Sequence, residues 1–122
     1  MAYQSNSNIY SGYQGQLQIV VTTVSSTGAA GSSLPVQLGG FELTGIQLPA
    51  TLTSTALSFK ASSVLGGPYQ TLYNSSGAVS YTVAGGRFLT INPSDFAGTP
   101  FIEIVLGSAE SSDKQFSLSL RG

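Results

Sequence analysis

The chain has 122 residues, 41% of them hydrophobic, which is enough for one folded domain with an ordinary core. Only 7% of the residues are charged, against about 25% in typical soluble domains, and the net charge is -1. Four scattered cations are a poor supply for binding phosphates, so we expect no nucleic-acid partner. The absence of cysteine and histidine excludes disulfides, the common zinc sites and histidine-based triads.

Hydroxyl and amide side chains take the place of charges: the chain contains 20 Ser, 11 Thr, 8 Gln and 4 Asn. A weakly charged surface of this kind does little to resist association. The composition therefore predicts standing contacts with other proteins, with a Ser/Thr-rich monomer as the alternative. No apolar run approaches the ~20 residues of a membrane span, and no secretion signal is visible, so we expect no membrane partner.

The first segment, MAYQSNSNIYSGYQGQ, is uncharged and is predicted to be an extended polar arm (1–16) outside a folded domain of 17–122. Tyrosine combines a large contact area with a polar tip, which suits a binding segment. The predicted partner-binding residues are Tyr3, Ile9, Tyr10 and Tyr13. The alternative is that the arm is a disordered tail.

From Leu17 onward, short apolar runs alternate with turn residues, and no helical stretch is present. The predicted strand segments are 17–24, 34–38, 41–49, 55–64, 70–73, 78–84, 87–92, 100–108 and 114–121. In the last of these, Phe116, Leu118 and Leu120 share one face while polar residues take the other. The pattern predicts an all-β fold, an antiparallel β-sandwich or jelly roll of about eight strands.

Two turn regions punctuate the second half of the chain. The pair Gly85-Gly86 can take the positive φ angles of a tight hairpin turn between 78–84 and 87–92. The segment NPSDFAG (92–98) is typical of a single helical turn, with an Asn N-cap followed by Pro at the first helical position. Its Phe96 is expected to plug the sandwich, and all six phenylalanines are expected at core-facing positions.

The run FIEIVL is apolar on both faces except at Glu103, which indicates a central strand covered on both sides or a strand under a neighbouring subunit. Glu103 is expected to pair with Arg87 or Lys60, to line a site, or to lie at a subunit contact. Tyr69 and Tyr73 lie near loops and could form a platform for a sugar, with packing at the sandwich edge as the alternative.

Five carboxylates remain as candidates for chemistry: Glu42, Asp95, Glu103, Glu110 and Asp113. A glycosidase needs two of them roughly 5–10 Å apart, and a calcium site needs several converging oxygens. Structural roles are favoured instead, because Asp95 suits the start of the helical turn and Glu110 and Asp113 lie in what reads as a solvated loop. We therefore expect no enzyme, no metal and no cofactor.

Four segments carry a family resemblance: IQLPATLTSTALSFKAS (46–62), TLYNSSGAVSYTVAGGRFLTINPSDFAG (71–98), FIEIVLGS (101–108) and FSLSLR (116–121). Their order resembles that of small tailed-bacteriophage virion proteins. The chain departs from that group at SSVLGGPYQ (62–70), where relatives often have an Asp-Gly turn, and the resemblance does not cover the arm.

The resemblance implies a bacteriophage virion structural protein, and we expect a capsid decoration (cement) protein that binds and stabilises the assembled head. The implied partners are the major capsid protein or other virion proteins, and the chain is expected to form a homo-oligomer, with a trimer guessed from the resemblance. The expected location is the capsid surface of the virion, after assembly in the host cytoplasm. The alternative is a carbohydrate- or host-receptor-binding module, or a structural component of a tail, collar or head fibre.

Overall fold

The computed structural model describes residues 17–25 and 31–122, and this part of the chain is all-β with antiparallel sheets, as predicted. One short 3-10 helix, η1, spans Pro93–Phe96. The strands are β1 (Leu17–Val24), β2 (Val36–Gln37), β3 (Glu42–Gln47), β4 (Ala56–Ser62), β5 (Gln70–Thr71), β6 (Tyr73–Asn74), β7 (Gly77–Ala78), β8 (Ser80–Thr82), β9 (Phe88–Thr90), β10 (Phe101–Leu106) and β11 (Lys114–Arg121). The jelly-roll arrangement of about eight strands and the division of the chain at residue 16 stay predictions.

The first sheet has the strand order β1-β11-β3-β9, so β1 and β9 are its edges. β1 and β11 are paired over their full length, from Leu17 opposite Arg121 to Val24 opposite Lys114. The register between β11 and β3 shifts next to Ser119, and the Thr44 hydroxyl donates a hydrogen bond of 3.0 Å to the Ser119 carbonyl at this irregularity. The long β1–β11 ladder makes β11 the central support of this sheet.

The second sheet has the order β2-β10-β4-β5, and β8 also pairs with β4. β10 is therefore a central strand, but its outward residues Phe101, Glu103 and Val105 are only half-buried, so the described domain does not cover it on both faces. Cover by a neighbouring subunit, the other alternative, stays a prediction. β4 pairs with β8 through its first three residues and with β5 nearer its end, because the chain leaves the sheet between these two strands to form the small β6–β7 hairpin. The turn of this hairpin is closed by the Asn74 side chain, which accepts a 2.7 Å hydrogen bond from the Ser76 backbone N–H.

One apolar core lies between the two sheets, because each sheet directs alternate side chains inward. In β11 the inward residues Phe116, Leu118 and Leu120 are fully buried, in agreement with the predicted alternation. The facing side chains come from the second sheet, and they include Phe59 of β4 and Ile104 of β10. The shared core makes the two sheets mutually dependent, since each buries its apolar inner face against the other.

Phe96 plugs this core as predicted. The η1 turn is capped by Asn92, whose side-chain oxygen accepts a hydrogen bond from the Ser94 backbone N–H. The turn points Phe96 inward, where it is fully buried and its ring meets Phe59 edge-to-face at a centroid distance of 4.9 Å. The Asn92 cap and the short η1 turn thus hold the Phe96 ring between the sheets, although Phe96 belongs to no strand.

The glycine pair Gly85-Gly86 corrects one sequence prediction. β8 pairs with β4 and β9 pairs with β3, so these strands belong to different sheets and do not form a hairpin. The pair carries the chain across from one sheet to the other. Gly86 has a φ of 74°, and a Cβ on Gly85 would lie 2.7 Å from the Ala50 carbonyl oxygen, so both positions require glycine.

Phe88 is a second correction, because it is 60% exposed rather than core-facing. It lies on the edge strand β9 opposite Gln47, and its ring covers the neighbouring Gly45, where a Cβ would come within 2.7 Å of the ring. The alternation within a three-residue strand is too short to say which face is buried, so the sequence alone did not place this ring.

Replacing Phe96 with Ala is expected to lower the free energy of unfolding by about 3–5 kcal/mol, because it leaves a cavity against Phe59. Phe88→Ala is the matched control, and its exposed ring should contribute under about 1 kcal/mol. Urea denaturation of both variants at 25 °C measures the two values. Equal losses would contradict the central position of Phe96.

Candidate interaction surface

The four predicted partner-binding residues, Tyr3, Ile9, Tyr10 and Tyr13, lie outside the described residues. The candidate surface is therefore built from the folded domain, starting with the strand that directly follows them. That strand is β1, and it begins at Leu17 on one edge of the first sheet.

The outer face of β1 carries an exposed apolar row. Leu17 is 67% exposed, Ile19 is 55% exposed and Val21 is 56% exposed. The row follows from the period of two, because the alternate positions point to the core and end in the buried Val24. In register, the row lies beside exposed or half-buried polar side chains of β11, so neither sheet covers it.

An open cleft of about 410 Å³ separates β1 from the edge of the second sheet. One wall is formed by residues 20–23 of β1 and the other by residues 34–37, which include β2. Leu34 stands at this second wall and is 73% exposed. We call Leu17, Ile19, Val21 and Leu34, together with this cleft, the edge surface.

The backbone of β1 is open along the same side. Among the described residues, the only pairing of β1 away from β11 is the isolated bridge between Val24 and Ser33. Alternate residues of 17–23 therefore direct backbone N–H and C=O groups to a side where no strand of residues 31–122 pairs with them, next to exposed apolar side chains. Strand edges of this kind are usually blunted by charges, proline or a covering loop, and β1 contains neither charge nor proline.

Sequence reasoning missed the edge surface, although one signal was present. LQIVVTTV is apolar on both faces through its first five residues except at Gln18, which is what a strand buried on both sides would show. β1 instead lies at an edge, so the second apolar face is left exposed. Only the strand order reveals this.

A second exposed group lies at the loop after β4. Val64 is 54% exposed and Leu65 is 61% exposed, and the loop is held by a 2.7 Å hydrogen bond from the Tyr69 hydroxyl to the Leu65 carbonyl. Desolvation and the charge of Glu103 both raise the pKa of Tyr69 above its usual value. Tyr73 is 66% exposed on β6, so of the two predicted sugar-platform tyrosines one is tied into a loop and the other is open.

Glu110 corrects the prediction that its loop is simply solvated, because its side chain is only 6% exposed. Its carboxylate accepts hydrogen bonds from the backbone N–H of Thr53 at 2.8 Å and of Ser54 at 2.7 Å. The Ser54 hydroxyl lies a further 2.7 Å from the same carboxylate. Burial raises the pKa of Glu110, but these donors outweigh it, so the pKa lies below its usual value.

Lys114 supports the same junction from the start of β11. It is 9% exposed, and its ammonium donates a 3.0 Å hydrogen bond to the Thr51 hydroxyl. Together with Glu110 it fastens the 107–114 loop to residues 51–54, which have no strand partners of their own. Glu110 is therefore a buried structural residue and not a solvated one.

The remaining carboxylates are dispersed. Asp95 lies in the η1 turn and accepts a 3.2 Å hydrogen bond from the Asn74 side-chain amide. Glu103 lies directly opposite Lys60 in the β10–β4 register, which brings it beside one of the two cations predicted for it. Within residues 17–25 and 31–122, no group of three or more acidic, histidine or cysteine side chains could hold a metal ion.

No helix in the same ranges is long and apolar enough to cross a membrane.

Comparison with known proteins identifies the fold but no family. No protein-family model matches the chain, and no curated protein matches its sequence. The crystal structure of the SPBc2 prophage-derived protein YomS is similar, with a TM-score of 0.57 and 12% identity over 94% of this chain and 100% of that one. At this identity the likeness shows a shared fold alone.

Two further structures are more distant. A structure of Bacillus endospore appendages, described as a family of disulfide-linked pili, gives a TM-score of 0.47 at 17% identity over 97% of this chain and 96% of that one. The cyanophage Pam1 capsid asymmetric unit gives 0.36 at 15% identity over 99% and 94%. Scores this low carry no argument about this chain.

Replacing Glu110 with Gln is expected to lower the free energy of unfolding at pH 7 by roughly 1.5–3 kcal/mol, because backbone donors lose a charged acceptor. Since the folded-state pKa is depressed, the stabilisation is present above the unfolded pKa of about 4.3 and is lost as the pH falls through the folded value. The difference between wild type and variant should therefore shrink from pH 7 to pH 3.

Urea unfolding at both pH values measures this difference. Glu103→Gln is the matched control, since it makes the same chemical change at a half-exposed strand position and should change stability by under about 1 kcal/mol. A Glu110→Gln effect of the same size at both pH values would refute the role assigned to the carboxylate.

Proposed function

We propose that this chain is a bacteriophage virion structural protein, and more specifically a capsid decoration protein that binds and stabilises the assembled head. The observation that carries the proposal is the edge surface, an uncharged strand edge with exposed apolar side chains on a domain whose surface is poor in charge. Surfaces of this kind suit permanent contacts between proteins. The resemblance to tailed-phage virion proteins supports the assignment, as does the fold shared with a prophage-derived protein.

In this proposal the protein works by contact and carries out no reaction. The sequence has no histidine or cysteine, and Glu110, the one strongly buried carboxylate in the part of the chain that the structure describes, already has structural partners. The proposed domain is a β-sandwich of the jelly-roll type that acts as a rigid anchor at the capsid surface. Its proposed partners are the major capsid protein or other virion proteins, together with further copies of the chain in a homo-oligomer such as a trimer.

Residues 1–16 are proposed to supply the second contact. Ordering sixteen residues costs on the order of 15–30 kcal/mol of backbone entropy. At about 25 cal/mol per Å², this requires roughly 600–1,200 Å² of buried apolar surface. Buried tyrosines contribute about 150–250 Å² each, so Tyr3, Tyr10 and Tyr13 with Ile9 reach only the lower part of that range. The arm therefore needs backbone hydrogen bonds as well as side-chain contacts.

Deleting residues 1–16 tests this function directly. The binding of the full chain and of the deleted chain to undecorated heads of the encoding phage would be measured by co-sedimentation. We expect the full chain to bind and the deletion to weaken binding at least about tenfold, since loss of ~1.4 kcal/mol already has that effect. A milder variant, Tyr10→Ser, should weaken binding less, and circular dichroism should show that both chains remain folded.

Unchanged affinity of the deleted chain would remove the arm from the proposed mechanism, and absence of binding by the full chain would refute the decoration role.

A receptor-binding module is the second candidate, because Tyr73 is exposed on the β6–β7 hairpin and could stack on a sugar. Specific binding on a glycan array, lost in Tyr73→Ser, together with no affinity for heads would favour this candidate.

A further inference from the structure

We infer that residues 1–16 of one copy add as a strand to the open β1 edge of a second copy, inside the cleft between β1 and residues 34–37. This inference deepens the proposed function, on which it rests for the view that the arm is a contact segment. It adds the acceptor surface and the partner, which is a second copy of this chain.

The acceptor is a strand edge with one side free. β1 pairs with β11 throughout, while among the described residues its other side meets only Ser33, at Val24. In an antiparallel ladder every second residue directs its N–H and C=O away from the partner strand, so the free side of residues 17–23 offers a row of donors and acceptors. An added strand would satisfy them, as in other cases of strand addition to a sheet edge.

The cleft gives an added strand a place beside this edge. It lies between residues 20–23 and residues 34–37 and has a volume of about 410 Å³. The exposed Val21 stands at the first wall of the cleft and the exposed Leu34 at the second. An incoming strand would thus bury apolar side chains of the edge surface as well as pair with its backbone.

The arm has a sequence that suits this position. Tyr3, Ile9 and Tyr13 occupy odd positions with serines between them, while Tyr10 occupies an even position with Gln4, Asn6 and Asn8. An extended arm would therefore direct three of the four predicted binding residues to one face and Tyr10 to the other. No charge occurs in the chain before Glu42, so the arm and β1 meet without electrostatic repulsion. Strand pairing also supplies backbone hydrogen bonds, which the arm needs because burial of its tyrosines and Ile9 alone offsets only part of the entropy cost of ordering it.

The lengths are compatible with exchange between copies. Sixteen extended residues span up to about 53–58 Å, whereas the seven-residue open edge spans about 24 Å. The arm can therefore leave its own domain and still cover the full edge of another. Each copy has one donor arm and one acceptor edge, so a closed ring such as the predicted trimer uses every arm and every edge.

Thiol cross-linking tests the inference, because the natural chain has no cysteine. One full-length population carries Ile9→Cys, and a second, with a larger tag, carries Val21→Cys on the edge surface. The two populations are mixed without any phage head and treated with a short bis-maleimide. Phe88→Cys replaces Val21→Cys in the control, since Phe88 is similarly exposed, at 60%, but lies on the opposite edge of the same sheet.

We expect a mixed product containing both tags, formed roughly tenfold more with Val21→Cys than with Phe88→Cys, because strand addition raises the local concentration of the two thiols. Sedimentation equilibrium should show an oligomer for the full chain and a monomer for the chain lacking residues 1–16. Ile19→Lys, an exposed change on the edge, should also shift the full chain toward monomer.

Three results would overturn the inference. A third population that carries both Ile9→Cys and Val21→Cys reports the alternative: an internal cross-link in it, without a mixed product from the two single variants, would mean that the arm covers its own edge. An oligomer that persists without residues 1–16 would mean that the domains associate without the arm. Equal cross-linking to Val21→Cys and Phe88→Cys would mean that the contact is unspecific. Head binding without the mixed product would leave the decoration role standing, whereas the mixed product without head binding would refute that role alone.

Discussion

The shared core between the two sheets is the constraint on which the rest of the structure depends. Each sheet is apolar on its inner face, and the two inner faces cover each other through side chains such as Phe59 and Phe116. Phe96 is added to this core from a capped 3-10 turn, where its ring meets Phe59 edge-to-face. A chain without disulfides relies on this burial for its stability, because hydrophobic burial is the dominant favourable term in folding.

A core built this way leaves the edges of the sheets open. Packing of the inner faces does not satisfy the backbone groups on the outer side of the edge strand β1. β1 also has no charged side chain that would disfavour pairing with another strand. The buried polar contacts of Glu110 and Lys114 lie away from this edge, where they join the 107–114 loop to residues 51–54. The edge surface is thus one of the sheet edges of the described domain, and both proposals rest on its open side and its exposed apolar side chains.

Much of the fold was predictable because alternation is a local property. The inward row Phe116, Leu118 and Leu120, the central strand β10 and the capped turn around Phe96 all agree with expectations drawn from neighbouring residues. The wrong predictions concern relations between distant residues. Gly85-Gly86 has the composition of a hairpin turn, yet β8 and β9 on either side of it belong to different sheets. β8 pairs with β4 and β9 pairs with β3, and in both cases the paired residues lie more than twenty positions apart in the chain.

Glu110 shows the same limit for single side chains. Its flanking residues are those of a solvated loop, but its partners Thr53 and Ser54 lie more than fifty residues earlier in the chain. Phe88 and the outer row of β1 were likewise undetermined, because their exposure depends on which strand is the last of its sheet.

The sequence by itself determined the all-β class, the inward face of the longer strands, the lack of cysteine and histidine side chains and the uncharged composition of residues 1–16, because all of these are local or compositional. Only the tertiary structure decided that β1 is an edge, that a cleft separates it from residues 34–37 and that Glu110 is buried. The reason is physical: an edge, a cleft or a buried carboxylate is defined by which distant segments pack together, and a local pattern of side chains does not specify that choice.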